Sequence, residues 1–254
     1  MNLASTLDFA LDAVWQAGRI TLGYFQTGTP VERKSDDSPV TLADREAERK
    51  LRQLIEQAYP DHGIVGEEYG ETAPNAALKW IIDPIDGTKS FVAGVPLYAN
   101  LLALVEGDRA RVGVMHFPAL NETVYAAEEL GCFWNGRRTR VSTVNQLSQA
   151  TLLASDVNHF ESKGKGAAWE KLIKATYIQR TWGDAYGYAL VATGRAEVML
   201  DARMQVWDCA PLQVVMEEAG GTFTDWKGNA TIYGGESIAT NGHLYNAVMQ
   251  IIQG

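Results

Sequence analysis

Residues 80–88 have the sequence WIIDPIDGT, an apolar run that ends in Asp83 and Asp86. Proline cannot donate to a strand ladder, so the proline between them predicts that the chain leaves a sheet there. Two carboxylates three residues apart can converge on hard cations, which prefer oxygen ligands. The backbone amides of Gly87 and Thr88 could hold a phosphate, especially where a helix begins. A solvated turn is the alternative for any Asp-x-x-Asp pair, but the preceding apolar run disfavours it.

Two further acidic motifs carry the same kind of chemistry. Residues 63–68, GIVGEE, place paired carboxylates after a short apolar run. Such a pair repels unless its members are separated, paired or bound to metal, although the motif taken alone is more typical of an exposed acidic turn. Trp207 and Asp208 open a predicted helix that runs to Gly220, where aspartate could simply cap the helix. The motifs become specific only together with residues 80–88.

Hydrophobic periodicity indicates an α+β front half and an α/β rear half. Thr41 and Asp44 form a capping-box pattern before the second helix, and Asn135-Gly136 predicts a hairpin. The polar segments 34–39 and 161–168 are predicted loops, the second a candidate lid. Helices are predicted at 3–22, 41–59, 169–175, 186–193, 207–219 and 243–252. Strands are predicted at 64–65, 80–82, 101–105, 112–117, 123–127, 152–153 and 198–200.

The three acidic motifs, in this order, resemble those of the inositol monophosphatase superfamily. The resemblance covers nearly the whole chain and includes Lys34 and residues 194–197. It implies a layered α/β/α/β/α sandwich of the inositol monophosphatase and fructose-1,6-bisphosphatase type, with the active site between two halves. Residues 1–138 would carry most metal ligands, and residues 139–254 would carry the specificity residues and Asp208.

The resemblance also implies the chemistry, which is hydrolysis of a phosphomonoester by a metal-activated water. Glu67 and Thr88 would position and help deprotonate this water, with Asp44 supporting Thr88. The amides of Gly87 and Thr88 would hold phosphate oxygens. Two or three Mg²⁺ ions are expected, Mn²⁺ is possible at a hard oxygen site, and lithium is expected to inhibit. The implied metal ligands are Glu67, Asp83, the Ile85 carbonyl, Asp86 and Asp208.

Substrate choice is expected to depend on residues 180–188, RTWGDAYGY, and on Asp201. Two extra carboxylates, Asp184 and Asp201, suit a cationic substrate better than a neutral polyol, because an unpartnered buried carboxylate is costly. The run is similar to the histidinol-phosphate phosphatase branch, so L-histidinol phosphate, with its ammonium and imidazole, is the expected substrate. The expected substrate-binding residues are Asp86, Gly87, Thr88, Gly183, Asp184, Ala185, Asp201 and Asp208.

Several alternatives stay open at this point. Asp184 could merely cap the following helix, and Trp182 could pack in the core. Inositol-1-phosphate or a broad range of sugar phosphates would suit the same chemistry. A non-catalytic partner of transcription or ribosome-assembly machinery would need a basic or apolar surface. The histidines are expected to be structural or exposed; they are His62, His116, His159 and His243.

The composition restricts the partners and the location. The chain has 254 residues and a formal net charge of −9, which argues against nucleic acid as the main ligand. The absence of an 18-residue apolar run or a basic leader leads us to expect neither a membrane span nor a signal peptide. Cys132 and Cys209 are expected to be reduced core thiols. We therefore expect a cytoplasmic protein with a small phosphorylated metabolite as ligand, and the resemblance suggests a homodimer.

Overall fold

The structure is a computed structural model that describes residues 1–34 and 38–254. Of the predicted loop 34–39, residues 35–37 lie outside the described residues. The helices are α1 Leu3–Tyr24, α2 Leu42–Ala58, α3 Thr88–Val92, α4 Asn158–Ser162, α5 Gly166–Ala175, α6 Ala185–Ala192, α7 Val206–Glu218 and α8 Tyr245–Gln253. The strands are β1 Val31–Arg33, β2 Pro39–Thr41, β3 Gly63–Gly66, β4 Gly70–Thr72, β5 Leu78–Asp86, β6 Ala99–Glu106, β7 Arg109–Phe117, β8 Glu122–Ala127, β9 Gly131–Trp134, β10 Arg137–Arg138, β11 Thr151–Ala154, β12 Ile178–Arg180, β13 Val198–Asp201, β14 Thr222–Thr224 and β15 Ser237–Thr240.

Two large sheets and three sets of helices alternate through the molecule, and β1 and β2 form a separate two-stranded sheet. The front sheet has the strand order β10-β9-β8-β7-β6-β5-β3-β4, and the rear sheet has the order β12-β11-β13-β15-β14. Helices α1 and α2 pack on one face of the front sheet, while α7 contacts strands of both sheets and α6 packs beside it. Helices α5 and α8 pack together in the cluster on the outer face of the rear sheet. This arrangement confirms the predicted α/β/α/β/α sandwich.

Strand β5 shows why residues 80–82 are apolar without interruption. Trp80 and Ile82 point into the core beneath α1 and α2, while Ile81 points into the core between the two sheets. A strand buried on both faces carries apolar side chains at consecutive positions. Burying each such side chain stabilises the fold by about 1.5–3 kcal/mol. The apolar run therefore anchors the end of β5 rigidly between two cores.

Local sequence signals account for the starts of the first two helices. The Asn2 side chain accepts hydrogen bonds from the amides of Ala4 and Ser5 and caps α1. The predicted capping box at α2 is present, with the Thr41 amide donating to Asp44. The predicted hairpin at Asn135-Gly136 joins β9 and β10. Both cysteines are buried free thiols, as predicted.

Two predictions about local structure are wrong. Strand β5 does not end at Pro84 but continues to Asp86. The segment 161–168, predicted as a surface loop, belongs mostly to α4 and α5, and only residues 163–165 connect these helices. Lys165 in this connection is tied down, since its ammonium lies 2.5 Å from a Glu236 carboxylate oxygen. Across the described stretches of the chain, no helix is both long and apolar enough to cross a membrane.

Candidate functional site

The candidate site begins where β3 and β5 end side by side in the front sheet. The two strands are parallel and Gly66 is in register with Ile82, so their carboxyl ends meet at one edge. The Glu67 amide donates to the Ile82 carbonyl at 3.2 Å. Glu67 and Asp83 thereby emerge next to each other. Sequence motifs 16 positions apart thus converge because of strand pairing.

A bulge carries the chain from Asp83 to Asp86. Against β6, Asp83 faces Leu101 and Asp86 faces Ala99, so β5 has one residue more than its partner here. The Asn100 side chain donates to the Pro84 carbonyl, and Asp83 accepts the Ile85 amide at 3.0 Å. These bonds replace the ladder that proline interrupts. The bulge turns both carboxylates away from the sheet.

Asp208 joins these carboxylates from the other half of the molecule. It lies in the first turn of α7, where one of its oxygens accepts the Gln205 amide at 2.7 Å. Asp83, Asp86 and Asp208 each offer one oxygen, and these three oxygens lie within 4.8 Å of one another. Asp208 therefore does more than cap its helix.

Burial and neighbouring negative charges disfavour the ionisation of these three carboxylates. Burial raises the pKa of Asp83 well above its usual value, and the charges of Glu67, Asp86 and Asp208 raise it further. Burial, with the charges of Asp184 and Asp208, has the same effect on Asp86. Burial also raises the pKa of Asp208 to about 7. Negative charge at this point is poorly compensated by the protein itself.

The donor set fits a divalent cation. Hard cations such as Mg²⁺ bind carboxylate oxygens, and a bound cation reverses the local repulsion between anions. The structure brings together three of the four predicted side-chain ligands. The Ile85 carbonyl lies on the same bulge, where it accepts the Thr88 hydroxyl at 3.0 Å.

Glu67, the fourth predicted side-chain ligand, is paired with a lysine. The Lys34 ammonium lies 2.8 Å from a Glu67 oxygen and 2.6 Å from a Glu68 oxygen. Burial raises the pKa of Glu68 to about 7, although Lys34 opposes this shift. Glu67 thus lines the same cleft as the three aspartates but is partly neutralised by Lys34.

Asp44 and Thr88 are not linked as the resemblance implied. The Thr88 hydroxyl donates to Ile85, and one Asp44 oxygen accepts the amide and hydroxyl of Thr41 at 2.8 and 2.6 Å. The other Asp44 oxygen is buried and accepts no hydrogen bond from the described residues. Burial raises the pKa of Asp44 to about 6. The helix-capping bonds hold Asp44 in this orientation.

Asp184 lies directly over the turn that follows Asp86. Gly87 has a φ of 79°, and a Cβ added to it would lie 2.7 Å from an Asp184 carboxylate oxygen. Asp184 precedes α6 but makes no side-chain hydrogen bond that caps this helix. The helix-cap alternative is therefore wrong. The Ala185 amide instead donates to Asp86 at 2.6 Å and ties the two halves together.

Asp201 lies deeper in the rear half and is held by three donors. It accepts the amide and hydroxyl of Ser155 at 3.2 and 3.0 Å, and the Tyr188 hydroxyl at 2.8 Å. Burial raises its pKa to about 7. Gly183 packs against Ser155 so closely that an added Cβ would lie 2.4 Å from the Ser155 Cα. Gly183 thus contributes close packing to the site.

Most of these residues line one cleft of about 930 Å³ between the two halves. The predicted site residues Asp44 and Gly183 are not in its lining. Its walls also include residues that the sequence analysis missed. Ser155 and Asp156 follow β11, whose parallel neighbour β13 ends at Asp201. Polar residues directly after an apolar strand were the signal used at Asp83, and the same signal was available here. The predicted residues on the walls are Glu67, Asp83, Ile85, Asp86, Gly87, Thr88, Asp184, Ala185, Asp201 and Asp208.

The structure also places Trp182, for which core packing was an open alternative, and His159. Trp182 is 45% exposed and packs against the Arg180 guanidinium, so it is not a core residue. His159 lines the cleft, with its Nε2 3.9 Å from an Asp156 oxygen. It was predicted to be structural or exposed because no nucleophile motif accompanies it. Its position near the cleft comes from α4, which the sequence analysis did not predict.

Comparisons with known proteins agree with this architecture. The chain matches the inositol monophosphatase family over residues 2–253. It is 41% identical to a histidinol-phosphatase from Chlorobaculum parvum, over 92% of this chain and 91% of the relative. It is 36% identical to a fructose-1,6-bisphosphatase/inositol-1-monophosphatase from Thermotoga maritima, over 97% of this chain and 95% of the relative. An inositol monophosphatase structure from Zymomonas mobilis has a TM-score of 0.90 at 29% identity, covering 100% of this chain and 99% of that chain. The chain belongs to the inositol monophosphatase family.

Proposed function

We propose that this protein is a Mg²⁺-dependent phosphomonoesterase that hydrolyses L-histidinol phosphate to L-histidinol and phosphate. One observation carries the choice of substrate, which is the position of the Asp184 carboxylate over Gly87. A phosphate held at the amides of Gly87 and Thr88 would place its alcohol portion near this carboxylate. A cationic alcohol would compensate the charge there, whereas a neutral polyol would not.

The metal part of the proposal rests on Asp83, Asp86 and Asp208. Members of this family use divalent metals, and the buried carboxylates offer the oxygen ligands that Mg²⁺ prefers. Bound divalent cations would acidify water and neutralise charge on the attacking and leaving oxygens. Two or three ions, with Glu67 and the Ile85 carbonyl as further ligands, are part of the proposal, and Mn²⁺ could replace Mg²⁺.

The protein's own residues would orient the substrate and accept one proton from the attacking water. Glu67 lies beside Asp83 and would accept a proton from the attacking water, with the Thr88 hydroxyl orienting that water. The first turn of α3 would hold phosphate oxygens through the amides of Gly87 and Thr88. The water oxygen would bond to phosphorus in line with the bond to the alcohol oxygen, which would break. The departing alcohol oxygen would take up a proton from solvent, and the alcohol would leave toward the rear half of the cleft.

A panel of phosphate esters tests the proposal directly. We expect L-histidinol phosphate to have a higher kcat/KM than inositol-1-phosphate and fructose-1,6-bisphosphate, each with saturating Mg²⁺. Asp83→Asn should abolish hydrolysis of all three, because the stabilisation by a bound cation is worth several kcal/mol, roughly a thousandfold in rate. Preference for inositol-1-phosphate would contradict the substrate assignment, and an active Asp83→Asn would contradict the metal site.

The second candidate is an inositol-1-phosphate or broad sugar phosphatase. It is favoured by the similarity to the Thermotoga maritima enzyme, whose name combines fructose-1,6-bisphosphatase and inositol-1-monophosphatase. The same panel separates it from the first candidate. A non-catalytic partner of transcription or ribosome-assembly machinery would keep its cellular role in Asp83→Asn. The homodimer and the cytoplasmic location stay predictions.

A further inference from the structure

A buried ion pair on α2 lies behind the turn that carries Glu67. Glu48 is fully buried and accepts the Arg52 guanidinium at 2.8 Å, one helical turn away. Neither residue lines the cleft among the described parts of the chain. A buried carboxylate is costly unless charge and hydrogen bonds compensate it. The groups that compensate the buried Glu48 carboxylate should therefore indicate its role.

The partners of this ion pair are backbone groups of the acidic turn. Glu48 accepts the Glu68 amide at 2.7 Å and the Tyr69 amide at 3.2 Å. Arg52 donates to the Gly70 carbonyl. On the other side, the Glu67 amide is bonded to β5. The turn is thus fixed from both sides of Glu67.

Gly66 leaves the space that the Glu48 carboxylate occupies. A Cβ added to Gly66 would lie 2.0 Å from a Glu48 oxygen. Gly66 does not have a positive φ, so its backbone does not require glycine. The close approach does require it. The glycine of the Gly-Glu-Glu motif is therefore needed to make room for the Glu48 carboxylate on α2.

We infer that Glu48 is a positioning residue that holds Glu67 at the distance the metal site requires. The inference rests on the proposed function, because it concerns Glu67 as a ligand. Each carboxylate oxygen accepts one of the two successive amides, and glutamine would replace one of these oxygens with an NH₂ group that cannot accept. Residues behind metal ligands typically change metal affinity 10- to 100-fold when replaced.

Glu48→Gln tests the inference through metal binding rather than turnover alone. Mn²⁺ is titrated into the full-length protein, and the free ion is followed by electron paramagnetic resonance. We expect the Mn²⁺ Kd to rise about tenfold or more, with a parallel rise in the Mg²⁺ concentration needed for half-maximal hydrolysis. Glu56→Gln, the same change at an exposed position of α2, should leave both values unchanged. Circular dichroism in EDTA establishes that the variants are folded.

Gly66→Ala provides a second test if Glu48→Gln does not fold. The added methyl displaces the Glu48 carboxylate without removing any charge, so Mn²⁺ affinity should fall again. A folded variant of either kind with a Kd within about twofold of the wild type would overturn the positioning role. If the wild type and Glu56→Gln bind no Mn²⁺, the proposed function fails and this inference fails with it. If all variants bound Mn²⁺ like the wild type, the positioning role of Glu48 would be wrong, but the proposed function would stand.

Discussion

At the scale of single residues, two aspartates of the cleft are held in different ways. Asp201 accepts hydrogen bonds from Ser155 and Tyr188, so its acceptor capacity is largely used within the protein. Asp184 caps no helix and lies over Gly87 at the front of the cleft. The two were predicted together as substrate contacts. We therefore propose that Asp184 meets the cationic part of the substrate and that Asp201 shapes the wall of the cleft.

Replacing Asp184 should change substrate preference. Asp184→Ala removes the carboxylate proposed to meet the cationic alcohol, and a charged hydrogen bond is worth about 1.5–3 kcal/mol. We expect kcat/KM for L-histidinol phosphate to fall roughly 10- to 100-fold, while that for p-nitrophenyl phosphate changes little. Asp108→Ala, at an exposed turn, is the control and should affect neither substrate. Equal losses on both substrates would argue against recognition of the cation.

Asp201 should make the free energy of unfolding depend on pH. Burial raises its pKa to about 7, so the folded protein keeps a proton that the unfolded chain releases near pH 4. Stability should therefore fall as the pH rises from about 4 to about 7. Urea denaturation in EDTA across this range should show a smaller fall for Asp201→Asn than for the wild type. Parallel curves for the two proteins would show that Asp201 does not titrate in this way.

At the scale of elements, long patterns were predictable and short ones were not. The apolar periodicity of α1 and the capping box of α2 each depend on residues that are close together in the sequence, and both are present. Three-residue strands such as β12 and β14 carry too few positions for any period to show. They form because the rear sheet offers them a neighbouring strand.

The turn between β5 and α3 illustrates the same limit within the site. Its acidic residues could be predicted from residues 80–88, but its bulge could not. Asn100, which bonds the Pro84 carbonyl, comes from the neighbouring strand. The pairing of Glu67 with Lys34 also depends on distant chain segments. Motifs supplied the chemistry of the site, and tertiary pairing supplied its geometry.

Gly87→Ala should damage this turn in two separable ways. Its φ of 79° costs a non-glycine residue about 1–3 kcal/mol, and the methyl group would also meet Asp184. Gly107→Ala shares the positive φ, 60°, but has no atom within 4 Å of the added Cβ. We expect Gly87→Ala to lose more stability in urea denaturation and to lose hydrolysis, whereas Gly107→Ala loses stability alone. Equal stability and full activity would contradict the close approach of Asp184.

At the scale of the whole molecule, the site depends on the docking of α7 between the two sheets. Asp208 is the one member of the oxygen cluster that comes from the rear half, and α7 brings it to Asp83 and Asp86. Residues of both sheets share the core around this helix, among them Phe117 and Phe223. From the sequence, the approach of Asp208 to Asp83 and Asp86 was predicted only through the family resemblance. The packing of α7 between the two sheets should therefore determine where Asp208 lies in the metal site.

Gly113→Ala tests this dependence. Gly113 lies on β7, and an added Cβ would lie 2.5 Å from the Pro211 carbonyl oxygen and 2.6 Å from a Val214 methyl, both on α7. Such overpacking costs about 1–3 kcal/mol of stability, and moving α7 would carry Asp208 away from its partners. A displacement of about 1 Å can cost 100-fold in rate. We therefore expect kcat to fall for every phosphate ester alike.

The control for this variant is Gly23→Ala on α1, where the added Cβ meets nothing within 4 Å. It should leave activity unchanged and stabilise the protein by about 0.5–1 kcal/mol, because alanine favours helix more than glycine does. Urea denaturation and Mn²⁺ titration of both variants separate the effects. If Gly113→Ala lost stability but kept its Mn²⁺ affinity and kcat, the position of Asp208 would not depend on how α7 is packed. A loss of stability, Mn²⁺ affinity and kcat together would show that the metal site depends on the contact between the front sheet and α7.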